Sequence, residues 1–182
     1  MPAPSRPPRS RPSAPFLAVA LSAALELAGG GARAGEAVAE YQLKAAFLLL
    51  VRQFVARPDG ESISQICILG DDPFGEAFGA APAAGVPEVR HLGPSDDPGS
   101  CPLLFIARSE RARLRSVLEA VRSRPVLTVG DTPGYASQGV ILNLFLDENK
   151  VRFEVNVDAA RRAELTLSPR LTSLARLVRE GR

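Results

Sequence analysis

The sequence has a single histidine, His91, and only two cysteines, Cys67 and Cys101. That inventory excludes most catalytic and metal templates. A structural zinc site takes four ligands, drawn mainly from His and Cys. A Ser/His/Asp or Cys/His centre would need His91, which lies in a loop-rich stretch far from any nucleophile motif. There is no G-x-S-x-G, no phosphate-cradling Walker loop and no H-E-x-x-H. His91 is therefore expected on an exposed loop or edge strand. An internal repeat is also missing, as is an apolar run of the roughly 20 residues that a membrane span needs. No cofactor and no metal is expected, and the chain reads as a binding protein rather than an enzyme.

What is present begins with a leader. Arg6, Arg9 and Arg11 precede an apolar stretch from Ala14 to Leu25, followed by a Gly29-Gly30-Gly31 turn and Ala32-Arg33-Ala34. A basic segment, a short apolar core and an A-x-A site form the pattern of a secretory signal peptide. The expected organisation is a signal peptide over 1–34, a linker over 35–39, an α/β domain over 40–178 and a tail over 179–182. Export out of the cytoplasm follows from that reading. The formal net charge is +2, but the leader carries four Arg and one Glu. The remainder has 18 basic and 19 acidic groups and is close to neutral. That balance gives no support for nucleic-acid binding.

In an oxidising compartment an even pair of cysteines invites a disulfide. The other reading is two buried thiols acting as small hydrophobes.

Periodicity outlines the domain. Leu43, Ala46, Phe47, Leu50, Val51 and Phe54 recur at helical spacing over Glu40 to Val55, with Pro58-Asp59-Gly60 as the stop. Gln65 to Gly70 reads as a strand, and Asp71-Asp72-Pro73 opens a short helix reaching Phe78. The Ala/Pro/Gly-rich stretch from Gly79 to Gly99 holds one edge strand around Val86 to Leu92. Leu103 to Ala107 and Pro125 to Val129 lack alternation, as strands buried on both faces do. Between them Ser109 is expected to cap a helix with Leu114, Val117, Leu118 and Val121 inward. Val140 to Leu146 and Val151 to Val157 form a hairpin across a four-residue loop, Asp147 to Lys150. A short helix near Asp158 to Ala163 follows. Ser168 and Pro169 then start a last helix with Leu171, Leu174, Ala175 and Val178 buried. The fold class is α/β with three layers. A mixed, mostly parallel sheet ends in an antiparallel C-terminal hairpin and has helices on both faces.

Three polar groups are candidates for function. Asp71 and Asp72 follow the first strand of an α/β unit, where open sheets bind ligands. A receiver domain also pairs acids there, and Thr128 adds to the likeness. However, Ala107-Arg108-Ser109 stands where such a domain needs its phosphorylatable Asp. The plain reading is a helix cap and turn. Asn143 and Asn156 on the hairpin are either hydrogen-bonded core members or a recognition patch. Arg111, Arg113, Arg115 and Arg122 form a solvated helix face that could also meet an acidic partner.

Taken in order, the motifs resemble the YfiR family. YQLKAAFLLL (41–50) is similar to that family's opening Y-x-x-K-A-A-F-L helix, and ICILGDDPFG (66–75) to its first strand and turn. CPLLFIARSE (101–110) resembles its C-H-x-L-F-I strand, and PVLTVGD (125–131) its L-T-V-x-D. Residues 139–171 resemble its hairpin with the F-E-I-N-x-x-A-A and S-x-R-L endings. The departures are Pro102 in place of His, Arg57 where an aromatic often stands, Leu49-Leu50 in the first helix and Pro169 inside a Ser-Ser-Arg run.

The resemblance implies a periplasmic, non-catalytic regulator. It would repress an inner-membrane diguanylate cyclase, or another membrane sensor, through the periplasmic region of that protein. It would answer to a peptidoglycan-binding outer-membrane lipoprotein and could act as a homodimer. The role would lie in cyclic di-GMP signalling, biofilm or envelope stress. The resemblance also favours a bridge between Cys67 and Cys101. By motif position it points to Asp71, Asp72, Asn143, Arg152, Glu154, Asn156 and Arg170 as interaction or ligand positions. The alternative is a periplasmic small-ligand sensor using strand ends near Asp71, Thr128 and Asp131, and a hydrolase comes third.

Overall fold

Nine strands and four α-helices run through the described residues, which in this computed structural model are 28–79 and 87–181, with side chains from 35 onward. The chain divides at Gly35, and residues 36–182 form one compact unit. Residues 1–27 of the expected signal peptide lie outside the described residues, as do residues 80–86 of the Ala/Pro/Gly-rich loop.

In chain order the elements are α1 (Ala28–Val51), β1 (Val55–Ala56), β2 (Gln65–Leu69), β3 (Glu88–Leu92), β4 (Leu103–Ile106), α2 (Leu114–Val121), β5 (Leu127–Gly130), β6 (Leu142–Asp147), β7 (Lys150–Asn156), α3 (Val157–Arg162), β8 (Thr166–Leu167), α4 (Pro169–Leu174) and β9 (Arg176–Val178). Seven strands form one sheet in the order β3-β2-β4-β5-β6-β7-β9. The pairs from β3 to β6 are parallel, β6 and β7 are antiparallel, and β9 runs parallel to β7. β1 and β8 make a separate antiparallel pair. The architecture is the expected mixed α/β one.

Register explains the uninterrupted apolar runs. Ile68, Phe105 and Val129 are cross-strand neighbours, and so are Leu69, Ile106 and Gly130. The first row joins a core with Ala45, Leu48 and Val51 of α1. The second joins a core with Leu114, Val117 and Val121 of α2. Each strand thus spends both of its faces on helices, so no residue is left to alternate with water. Each such buried side chain stabilises by roughly 1.5–3 kcal/mol. Tyr135 lies wholly in the α2-side core, donating its hydroxyl to Ala107 O at 3.2 Å. Its ring needs Gly130, where a Cβ would come within 2.6 Å of it.

A disulfide joins Cys67 of β2 to Cys101, just before β4. The Cα atoms are 6.1 Å apart, within bridging reach.

Several expectations need correction. α1 begins at Ala28 rather than Glu40, so the Gly29–Gly31 turn and the 35–39 linker are helical. Ala37, Val38 and Ala39 carry the helix through that linker. The buried face of α1 holds Lys44, Ala45, Leu48 and Val51, while Leu43 and Leu50 are exposed. The segment after Asp72 makes only a single 3-10 stretch, Gly75–Phe78. Ser109 caps no α-helix, because Arg108–Arg113 winds as 3-10 first and α2 starts at Leu114. The hairpin loop has two residues, Glu148 and Asn149, because Asp147 and Lys150 pair. Both loop residues have positive φ, 49° and 59°, which suits a tight hairpin. α4 stops at Leu174, which is 75% exposed. Residues 176–178 leave the helix for the sheet as β9, so only Leu171 of the expected last-helix face is buried.

Candidate functional site

Strand order reverses beside β2, with β3 on one side and β4 on the other. The C-terminal ends of β2 and β4 therefore frame the crevice where open α/β sheets bind ligands. Here the chain fills that crevice itself. Gly70 has φ 92°, and a Cβ on it would stand 2.5 Å from Ser109 Oγ. The same hydroxyl accepts a hydrogen bond from the Asp71 amide at 2.8 Å. Asp72 is committed too. One of its oxygens accepts from the Phe74 amide at 2.7 Å, and the other meets His91 Nε2 at 2.8 Å. His91 is on the edge strand β3 and exposed, as expected. Of the two acids, Asp71 leaves its exposed carboxylate without a partner among the described residues.

The next strand end carries a buried ionic cluster. Asp131 follows β5, and its carboxylate receives Lys44 Nζ at 2.8 Å and the Tyr41 hydroxyl at 2.9 Å. Lys44 also meets Glu40, one turn earlier in α1, at 2.5 Å. The side chains of Lys44 and Asp131 are 3% and 6% exposed. The ammonium lies 4.5 Å from the Tyr41 ring centroid, and the edge of Phe74 packs on that ring. The Tyr41 hydroxyl is pushed well above the ordinary phenol range, first by burial, then by the charge and hydrogen bond of Asp131 and the charge of Glu40. Arg108 opposes this weakly. The cluster holds α1 on the sheet. Lys44 serves both carboxylates, and Glu40 stays partly exposed.

The hairpin residues separate into two groups. Asn143 and Glu154 are cross-strand partners with their side chains 3.1 Å apart, and both are buried. Arg176 of β9 closes on the other Glu154 oxygen and lies over the Phe145 ring at 4.9 Å. Asn156 is fully buried and works elsewhere. Its carbonyl oxygen caps α3 by accepting from the Ala159 amide, while its amide donates to Ala136 O. So Asn143 and Asn156 are hydrogen-bonded core members, and Glu154 is buried beside Asn143. Arg152, exposed, approaches Asp147 only to 3.9 Å. Arg170 is exposed on α4, away from that hairpin in the sequence.

The structure therefore does not gather the expected positions into one site. Thr128 is buried and accepts from the Ile141 amide at 3.0 Å, so it is not a strand-end neighbour of Asp71 or Asp131. Tyr41, Lys44 and Ser109 are the polar residues whose tasks periodicity did not suggest. Lys44 had one available signal, a lone cation in the apolar heart of a helix. Among the described residues, no three His, Cys, Asp or Glu side chains are grouped to hold a metal ion.

Comparison with known proteins adds two findings. The family described as YfiR/HmsC-like matches residues 41–176. Among solved structures, the chain is similar to a conserved domain protein from Vibrio cholerae O1 biovar eltor, with a TM-score of 0.52 and 12% identity. The match covers 75% of this chain and 59% of that one, so this chain spans about three-fifths of its length. At such identity the likeness shows the fold alone.

Proposed function

Because this chain belongs to the YfiR/HmsC-like family, we propose that it is a periplasmic regulatory binding protein that represses a membrane-bound diguanylate cyclase or a related signalling protein. The observation that carries the reading is the family match over 41–176, nearly all of the compact unit. The disulfide fits an oxidising compartment. No helix among the described residues is long and apolar enough to cross a membrane, which is compatible with a partner-bound role beside one. Apart from the Asp71 carboxylate, the polar groups at these strand ends are held in internal pairs, which favours binding over catalysis.

A partner needs a surface, and α1 offers one. Leu43, Phe47 and Leu50 lie at i, i+4 and i+7, so they share one side of the helix. Leu43 and Leu50 are about half exposed, and Phe47 rests against Phe153 of the hairpin. Charged substitutions at exposed Leu43 and Leu50 leave the core intact and so isolate this face.

The test is capture of the partner by the intact protein from membranes of the source cell, with cyclic di-GMP measured after deletion of the gene. Recovery of a membrane signalling protein, lost with Leu43→Glu and Leu50→Glu, together with raised cyclic di-GMP in the deletion strain, is the expected result. Unchanged cyclic di-GMP and no membrane signalling partner would overturn the reading.

A further inference from the structure

At the opposite end of the sheet from Asp131, where β5 and β6 begin, α2 and α3 flank a cavity of about 450 Å³. That volume lies in the usual range for small-ligand sites, roughly 300–1,000 Å³. Leu114, Val126, Ile141 and Ala159, all buried, give it a small apolar floor within a lining that is otherwise mostly polar. Its mouth is ionic, carrying Arg115, Arg122 and Arg162 against Glu119 and Glu180. The two acids are already used, since Glu119 pairs with Arg122 at 3.2 Å and Glu180 pairs with Arg162. Arg115 has no acidic partner among the described residues. The mouth therefore keeps one uncompensated positive charge.

Two further features suit a ligand. Thr128 lines the cavity, and its oxygen accepts from the Ile141 amide, so its hydroxyl proton can still be donated to a bound group. The C-terminal tail crosses the cavity wall. The Gly181 amide donates to Ser137 O at 3.1 Å, and Glu180 passes close over Gly139, where a Cβ would come within 3.2 Å of its carboxylate. Gly139 has φ 112°, so the turn itself calls for glycine.

We propose that this cavity binds a small organic anion with an apolar body, the acid group held at Arg115 and the body on the floor between α2 and α3. The chemistry is that of an aliphatic or aromatic carboxylate or sulfonate. An apolar cation would meet the same floor and the wrong charge. The site is separate from the α1 face, so it goes beyond the regulatory reading and does not depend on it.

Octanoate and octylamine are matched probes, alike in chain and opposite in charge. Titrated into the intact nitrogen-15-labelled protein, octanoate is expected to shift the amides of Ser137, Gly139 and Gly181 saturably, and octylamine to leave them in place. Arg115→Glu, on the exposed face of α2, should weaken octanoate about tenfold, the usual scale for losing a charged hydrogen bond. Leu118→Trp, at the cavity wall, should block it by filling the space while the rest of the spectrum stays native. Absence of saturable shifts, shifts centred elsewhere, equal response to octylamine, or affinity unchanged by Arg115→Glu would each overturn the proposal. Partner capture is scored with α1 variants, so failure here and failure there are distinguishable.

Discussion

Lys44 Nζ sits 2.8 Å from Asp131 Oδ2, tying the first helix to the end of a central strand across 87 residues of sequence. Both side chains are almost wholly buried. A buried pair adds little against an apolar replacement of both partners, but losing one partner strands the other charge. Lys44→Met is thus expected to cost about 3–5 kcal/mol in urea unfolding. Combining it with Asp131→Leu should recover much of that loss. A double variant as unstable as the sum of the singles would show that the two side chains act independently.

Tyr41 and Tyr135 are the only tyrosines, and the chain has no tryptophan. Both phenols are raised above their ordinary value, each chiefly by burial. The folded state therefore holds phenolic protons that the unfolded chain releases from about pH 10. Stability is whole below that pH and falls as pH rises above it. Near-ultraviolet phenolate absorbance should stay low until the protein unfolds, then rise together with loss of circular dichroism. A phenolate signal growing in the still-folded protein near pH 10 would contradict this.

The Cys67–Cys101 bridge spans 34 residues and links β2 to the entry of β4. In the chain-entropy account, closing a loop of that length stabilises by about 3–4 kcal/mol. Replacing both cysteines with serine should lower unfolding stability by that order. Intact mass without reductant should show no alkylatable thiol in the exported protein.

Glu148 and Asn149 both take left-handed backbone angles at the hairpin turn. That conformation costs an ordinary side chain about 1–2 kcal/mol, and Asn-Gly suits it best. Glu148→Asn with Asn149→Gly is expected to raise the thermal midpoint, by a stabilisation of about 1 kcal/mol. A lowered midpoint would mean that the Glu148 side chain has a role in the fold.

Much of the sheet was legible because burial on both faces leaves a direct mark: QICIL, LLFI and LTVG have no solvent side to record. The hairpin was legible from its apolar residues and its polar turn, although the face that carries Glu154 and Asn156 is buried as well. α1 misled because it has two apolar stripes. Periodicity selects Leu43, Ala46, Phe47, Leu50 and Val51, whereas the sheet takes Val51 with Ala45, Leu48 and Lys44. The last helix misled because Leu174 and Val178 fit a helical period, yet β7 offered an unpaired edge, which Arg176–Val178 satisfies. Asn156 could not be assigned without tertiary contacts, since a buried cap and an exposed recognition residue look the same in sequence. The asparagine of the F-E-I-N motif is an N-cap here.

Timing is the last consequence of the Lys44–Asp131 pair. A chain that emerges N-terminus first presents α1 long before β5 exists. Until Asp131 arrives, the Lys44 ammonium keeps its water, and α1 cannot lie dry against the sheet. β2, β3 and β4 can meet without waiting for it. Docking of the first helix is therefore expected late, and so is the surface that Leu43 and Leu50 present on it. An unfinished chain would then offer a partner no ordered face, so engagement would wait for a complete domain. Hydrogen exchange on a chain ending before Asp131 is the measurement, with unprotected α1 amides as the expected outcome and native-like protection the contrary one.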